Sequence, residues 1–346
     1  MDKRRIQLVG RSTLTVSLPS KWIKDTGLNK GDFVTVIPEK DGVLRIVQDS
    51  ITLEKEALRT CIINSDLCQE NNLLERIIVA SYIKGSEAIK IISRSRISKE
   101  NLQSIRDAEL KLMGLGIVEE TSSSVTLQCS INPAIFPIDL VTRRLYTLFS
   151  TMCDESIQAL MNSNEELAKE AQGREREANI MYALILRLLN QAQLNSEISK
   201  EIGIHSSEDI LNIFIVANAV ERMADWAYKI ADDVIKIETS GVRMNEKIRS
   251  SIADYNKKIM DICDKAMKSE FAFDVDLANI VINQFRGNLD EEACNIIDDL
   301  LHKNIFHGFG ELRQIICALR RIGEISVTIA EASIDRAIEK NKICSG

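Results

Sequence analysis

Aromatic residues are scarce, at 5% of 346 positions, so aliphatic side chains must fill most of any core. Proline is scarcer still. It stands at 19, 38, 133 and 137, and the 209 residues that follow contain none. Proline breaks helix interiors. A proline-free tract of that length with a 3.6-residue apolar period predicts a helical domain. No CxxC pair occurs among the cysteines at 61, 68, 129, 153, 263, 294, 317 and 344. Zinc-finger spacing is thereby excluded, and reduced thiols in the cytoplasm are the expectation. No apolar run approaches the ~18–20 residues of a membrane span, so no membrane insertion is expected. Met1-Asp2-Lys3-Arg4-Arg5 leads into no long apolar region, so a signal peptide is not expected either.

What is present is an uneven charge distribution. Residues 1–48 hold nine basic side chains against five acidic ones, an excess of four positive charges. The remainder holds 35 basic against 46 acidic, a net charge of −11. A basic head on an acidic body implies that only the head meets a polyanion. The apolar fraction of 45% argues against disorder, and the length suggests two or three domains.

The head reads as short strands and turns. Arg5 to Val9 alternates, Gly10-Arg11-Ser12 turns, and Leu14 to Leu18 alternates again before Pro19. Lys21 to Lys24 is a short helical turn ahead of Gly27-Leu28. Gly31-Asp32 precedes Phe33 to Ile37, and Asp41-Gly42 is a hairpin signal before Val43 to Ile46. Over about 45 residues this run resembles the SpoVT/AbrB swapped-hairpin DNA-binding family. The resemblance implies a homodimer of interleaved hairpins for residues 1–48. It also implies DNA binding by basic side chains of the first strand and turn, here Lys3, Arg4, Arg5 and Arg11, with Lys21. Such side chains neutralise phosphates rather than read bases. The bland alternative is a head that only dimerises.

Residues 51–130 order as β-α-β-α-β-β, a small two-layer α/β unit, with Ser98 as a helix N-cap. No phosphate-cradling glycine loop and no catalytic constellation occur in it. It is either a spacer or a ligand sensor.

From 138 to 340 the periodicity gives helices at about 138–161, 165–193, 207–238, 244–268, 274–301 and 309–340, with Ser206 or Ser207 starting the third. Ala219-Val220-Glu221-Arg222-Met223-Ala224-Asp225 aligns with Ala318-Leu319-Arg320-Arg321-Ile322-Gly323-Glu324 at an offset of 99. Ile230-Ala231-Asp232 meets Ile329-Ala330-Glu331 at the same offset. The third and sixth helices are therefore equivalents in two three-helix halves, about 138–238 and 244–340. These motifs resemble those of the PhoU family of phosphate-uptake regulators, whose signature runs Leu-Glu-Arg-Ile-Gly-Asp and then Ile-Ala-Glu, once per half. Arg174-Glu175-Arg176-Glu177-Ala178-Asn179 falls where that family has Glu-x-x-x-Asp. With the head and the α/β segment included, the chain resembles archaeal PhoU-like regulators over nearly its full length. The expected fold is thus multidomain: a swapped-hairpin β head, a small α/β middle and an all-α body of two three-helix bundles.

Glu221 and Asp225 share one helix face, as do Glu175 and Asn179. Like charges at that spacing repel by about 0.2–0.5 kcal/mol unless a cation intervenes. Such oxygens suit hard cations. The resemblance implies a divalent metal (Mg, Mn, Fe or Zn) in the first half, on Glu175, Asn179, Glu221 and Asp225. Asn179 departs from the pattern as a neutral ligand. In the second half Arg320 repels a metal and could instead pair with Glu324, while Arg286 and Asp290, four apart, could simply form an ion pair. The plain alternative for Glu221 and Asp225 is a solvated face, because Ile213, Val216, Val220, Met223, Ala227 and Ile230 mark an opposite apolar stripe. His205, His302 and His307 form no i,i+4 pair and read as loop or surface residues. Trp226 reads as packing or interface.

No nucleophile–base constellation accompanies the acids, so an enzyme is not expected. The resemblance implies a phosphate-responsive regulator that binds DNA through its head and senses metal, metabolite or partner through its body. The alternative is an adaptor without DNA binding that docks on the phosphate ABC transporter or its signalling partner.

Overall fold

A computed structural model of the chain describes residues 3–38, 43–48, 59–241, 245–302 and 308–341. The Asp41-Gly42 turn, residues 51–58, His307 and Cys344 lie outside them. The chain divides into two units, Met1–Arg59 and Thr60–Gly346.

The first unit contains two antiparallel strand pairs. β1 (Gln7–Val9) pairs with β2 (Thr13–Thr15), Leu8 opposite Leu14. Gly10, at φ 71°, makes the turn between them, a left-handed conformation that suits glycine. α1 (Ser20–Thr26) starts at Pro19 and ends on Gly27, again left-handed at φ 69°. β3 (Val34–Pro38) pairs with β4 (Leu44–Gln48), Val36 opposite Ile46. These strands cover almost nothing. Leu28 is the one apolar residue of the unit buried among the described residues, while Ile6, Leu8, Leu14, Phe33 and Leu44 are 63–79% exposed.

The second unit opens with a mixed sheet ordered β5-β6-β8-β7. β5 (Thr60–Asn64) lies parallel to β6 (Ala88–Ile92), as its crossover helix α2 (Leu73–Ile83) requires. α3 (Lys99–Lys111) is capped by Ser98, whose hydroxyl accepts from the Asn101 amide. It leads to the hairpin β7 (Leu115–Glu120) and β8 (Ser124–Cys129). The two helices cover one sheet face around Ile78, Ile89, Ile91, Ile105 and Leu127, all fully buried.

Helices follow: α4 (Ile138–Asn162), α5 (Glu165–Gly173), α6 (Glu175–Leu194), α7 (Ser196–Glu201), α8 (Ser207–Thr239), α9 (Glu246–Ala272), α10 (Val275–Gln284), a π-turn (Phe285–Leu289), α11 (Asp290–His302) and α12 (Phe309–Asn341). Sequence periodicity merged α5 with α6, because the break at Gly173-Arg174 is a single tightened turn that leaves the apolar phase intact. Ser206 caps α8 through the Asp209 amide. The expected stripe from Ile213 to Ile230 is buried, and so are Leu312, Ile315, Leu319, Ile322, Ser326 and Ile329 at the 99-residue offset. α8 and α12 pack on each other along these stripes. Gly323 fits where Ala224 stands in the first half. A Cβ there would meet the Phe285 ring at 2.6 Å, so glycine admits the π-turn against α12. Among the described residues no helix is long and apolar enough to cross a membrane.

Two buried arginines fasten the parts. Arg336 on α12 donates to Asp209 on α8 at 3.1 Å and to Glu270 on α9 at 2.6 Å. Arg187 on α6 donates to the Tyr82 and Ser86 carbonyls at the end of α2, at 2.7 and 2.9 Å. Removing one partner of a buried charge network leaves the others uncompensated, at about 3–5 kcal/mol. Arg336→Ala is therefore expected to destabilise the protein by about that amount in denaturant titrations. The triple replacement Asp209→Leu, Glu270→Leu, Arg336→Met should cost less than the single one. A single variant as stable as the parent would mean that the network carries no weight.

Candidate functional site

In the helical body, α6 and α8 run antiparallel and place the acids together. α6 starts where Arg174 grips Glu155 of α4 through Nε and Nη2, both at 2.7 Å. One residue later Glu175 faces α8, and its Oε1 accepts from the Asn179 amide at 2.6 Å. Glu221 and Asp225 lie opposite, one turn apart on α8. Farther along, Asn218 donates to the Tyr182 hydroxyl at 3.0 Å. The Glu221 carboxyl is pushed up to about 7, first by burial, then by Asp225 and Glu175, with Arg222 opposing. Asp225 is raised by burial and by Glu175, against Lys229 and Arg222. Three carboxylates thus share one field with too little positive charge.

These oxygens are of the right chemistry for a hard cation. Among the described residues no group of three His, Cys, Asp or Glu side chains is placed to hold an ion. The Asn179 amide also directs a donor, not an oxygen, at Glu175.

The equivalent face of the second half is built from cross-helix ion pairs. Arg320 takes Asp290 at 2.6 Å rather than Glu324, which Arg321 holds instead. Arg286, at the π-turn, takes Glu331 at 2.7 Å rather than Asp290. Both expected pairs put arginine N-terminal to its acid at i,i+4, the weaker orientation on a helix, so carboxylates across the groove compete successfully. Trp226 is half-buried against the core with Lys229 over its ring at 5.5 Å, a packing role. His205 is exposed in the loop before α8, its amide bonded to Asp209.

In the first unit Lys3, Arg4, Arg5 and Arg11 flank the β1–β2 hairpin and are exposed, and Lys21 is exposed on the first turn of α1. The basic side chains and the uncovered apolar strands therefore occur in the same small unit.

Sequence reasoning passed over Tyr182 and Asn218, and it passed over Arg187 and Arg336. The first two carry no motif. Arg187 had a signal, since it is a lone charge within the apolar run Ala183 to Leu189.

Comparison with known proteins follows the same lines. A family model described as the PhoU domain matches residues 142–234. The crystal structure of PhoU from Pseudomonas aeruginosa superposes with a TM-score of 0.53 at 17% identity, covering 61% of this chain and 100% of that one. At that identity the likeness is one of fold. No curated protein matches the chain significantly.

The raised Glu221 carboxyl makes a testable contribution to stability. Its folded state holds the proton to higher pH than the unfolded chain, so stability falls as pH rises from about 4.5 to about 7. Glu221→Gln is expected to exceed the parent by about 1 kcal/mol above pH 7, allowing for solvent screening. The two should converge near pH 4.5. Parallel pH–stability curves for the two proteins would show that the site carries no such repulsion.

Proposed function

We propose that this chain is a phosphate-responsive regulator of phosphate uptake, not an enzyme, that acts as a homodimer and binds DNA through its N-terminal head. The PhoU-domain match and the PhoU-like fold support a place in phosphate homeostasis. One observation carries the DNA-binding part. The head exposes Leu8, Val9 and Leu14 on strands too short to bury them, with Ile6 and Val16 at their ends, beside Lys3, Arg4, Arg5 and Arg11. Small strand pairs of this kind need a second copy to make a core. Pairing two copies doubles the basic surface and gives a polyanion two points of attachment. The acidic body repels DNA, which restricts contact to the head. In this reading the body receives the signal and the head delivers it.

The family-model match falls wholly on the body, which favours a second reading. There the head only dimerises, and the body docks as an adaptor on the phosphate ABC transporter or its signalling partner. A mobility-shift titration across salt concentrations separates the two.

Two outcomes are expected. Deletion of residues 1–48 should leave a folded helical protein with altered association, and sedimentation velocity checks it. An unchanged dimer would remove the head from the assembly. For DNA, two heads with two or three phosphate contacts each release roughly four to six counterions, so affinity should fall steeply with salt. Arg5→Ala with Arg11→Ala should weaken binding and flatten that slope. A shift with unaltered slope would mean that neither arginine meets phosphate, and no shift at any salt concentration would favour the adaptor.

A further inference from the structure

The face shared by α6 and α8 has two chemically different ends. At one end Leu186 and Leu189 of α6 and Ile210, Leu211 and Phe214 of α8, with Ile83 at the end of α2, line a largely apolar cleft of about 450 Å³. Leu211 is 61% exposed and Phe214 43%, although both lie on a helix whose opposite face is fully buried. In the middle stands the Tyr182–Asn218 hydrogen bond. At the other end are Glu175, Glu221 and Asp225. The residue pairs that meet across the groove fall in numbering on α6 as they rise on α8, so the ends are joined by the same two helices. Ile210 and Asp225 are fifteen positions apart, about 22 Å along a helix axis.

We propose that this groove docks a cationic amphipathic helix of a partner protein, with its apolar side chains between Leu189 and Phe214 and its lysines or arginines over Glu175, Glu221 and Asp225. Three properties select that occupant. Exposed leucine and phenylalanine in a cleft are the usual receptors for apolar side chains at i, i+3, i+4 and i+7 of a docked helix. The distance along α8 between the two ends matches a segment of about four turns. Arg222 and Lys229 are the nearby cations, and they leave the three carboxylates in excess. A partner's ammonium or guanidinium groups would relieve that repulsion, while an acidic helix would add to it. The net charge of −11 on residues 49–346 steers the same partner toward the body. The inference is independent of the DNA-binding reading, because no residue of the head takes part.

The test uses the full chain and two fluorescein-labelled helical peptides of 16 residues. One carries leucines at helical spacing in one half and lysines in the other. The second replaces every lysine by glutamate. Fluorescence anisotropy in 150 mM salt should show binding of the basic peptide and none of the acidic one. Leu211→Ser with Phe214→Ser should weaken binding at least tenfold, and Glu221→Gln with Asp225→Asn at least fivefold. Circular dichroism and a cooperative thermal melt check that both variants fold. Three outcomes overturn the proposal: no binding of the basic peptide, equal binding of both peptides, or binding of the basic peptide that ignores Leu211→Ser with Phe214→Ser. The last would mean only general attraction to an acidic surface.

Discussion

Everything in the helical body is referred to the seam between α8 and α12. Each helix is 33 residues long and presents an aliphatic stripe that is buried along most of its length. Apolar packing alone is tolerant of sliding, since one isoleucine fits nearly as well as the next. Arg336 removes that freedom. Its guanidinium needs Asp209 on α8 and Glu270 on α9 at the same time, and a one-turn slip of about 5 Å would strand all three charges in the core. The network therefore sets the register in which the halves meet, whatever its net contribution to stability. α4, α5 and α6 pack around α8, and α9 to α11 around α12, so their positions follow from that register.

The halves share a scaffold and differ in charge. At the offset of 99, Glu221 becomes Arg320, and Asp225 becomes Glu324. Where the first half gathers carboxylates, the second has acquired arginines that neutralise its acids from within. Arg320 to Asp290 and Arg286 to Glu331 link α12 to the π-turn and α11. These pairs are half-exposed and each contributes little to stability. Their consequence is electrostatic. The second half pairs its acids across helices, whereas in the first Glu175 raises the Glu221 and Asp225 carboxyls with only Arg222 and Lys229 opposing.

Much of the fold is legible in the sequence, for definite reasons. Proline absence after 137, the Ile213-to-Ile230 stripe and the caps Ser98 and Ser206 are local signals, and each specifies its element directly. The buried stripes of α8 and α12 are readable because they repeat at a fixed offset. The head's strands were readable from alternation and from the turns at Gly10 and Gly27. Interactions between elements were not readable in the same way. Spacing favoured Arg320 with Glu324 and Arg286 with Asp290, because a sequence displays neighbours along a helix and hides those across a groove. The acids Glu175, Glu221 and Asp225 stood out through their motif, whereas the apolar end of their groove did not. Leu211 and Phe214 look like core residues until the helix around them shows which face is already occupied.

Arg187 shows why the α/β layer belongs to the same unit as the bundle. A leucine there would extend the apolar run of α6 and pack well, but it would accept α2 in several registers. A guanidinium must find acceptors: the Tyr82 carbonyl lies at the negative pole of the α2 dipole, and the Ser86 carbonyl lies in the loop that follows. The Tyr82 ring, 4.8 Å away, covers the cation's face, and the Tyr82 hydroxyl is held in turn by the Met113 carbonyl at the end of α3. One side chain of the bundle thereby fixes both helices of the layer. The sheet face beneath those helices is sealed, while its other face carries Ile62, Lys90, Thr126 and Glu119 in one rung across the strands. A mixed sheet with one polar, solvated face has no need of a second helical layer. Arg187 thereby ties α6 to the α2 end of the layer through two hydrogen bonds, one buried and one partly buried.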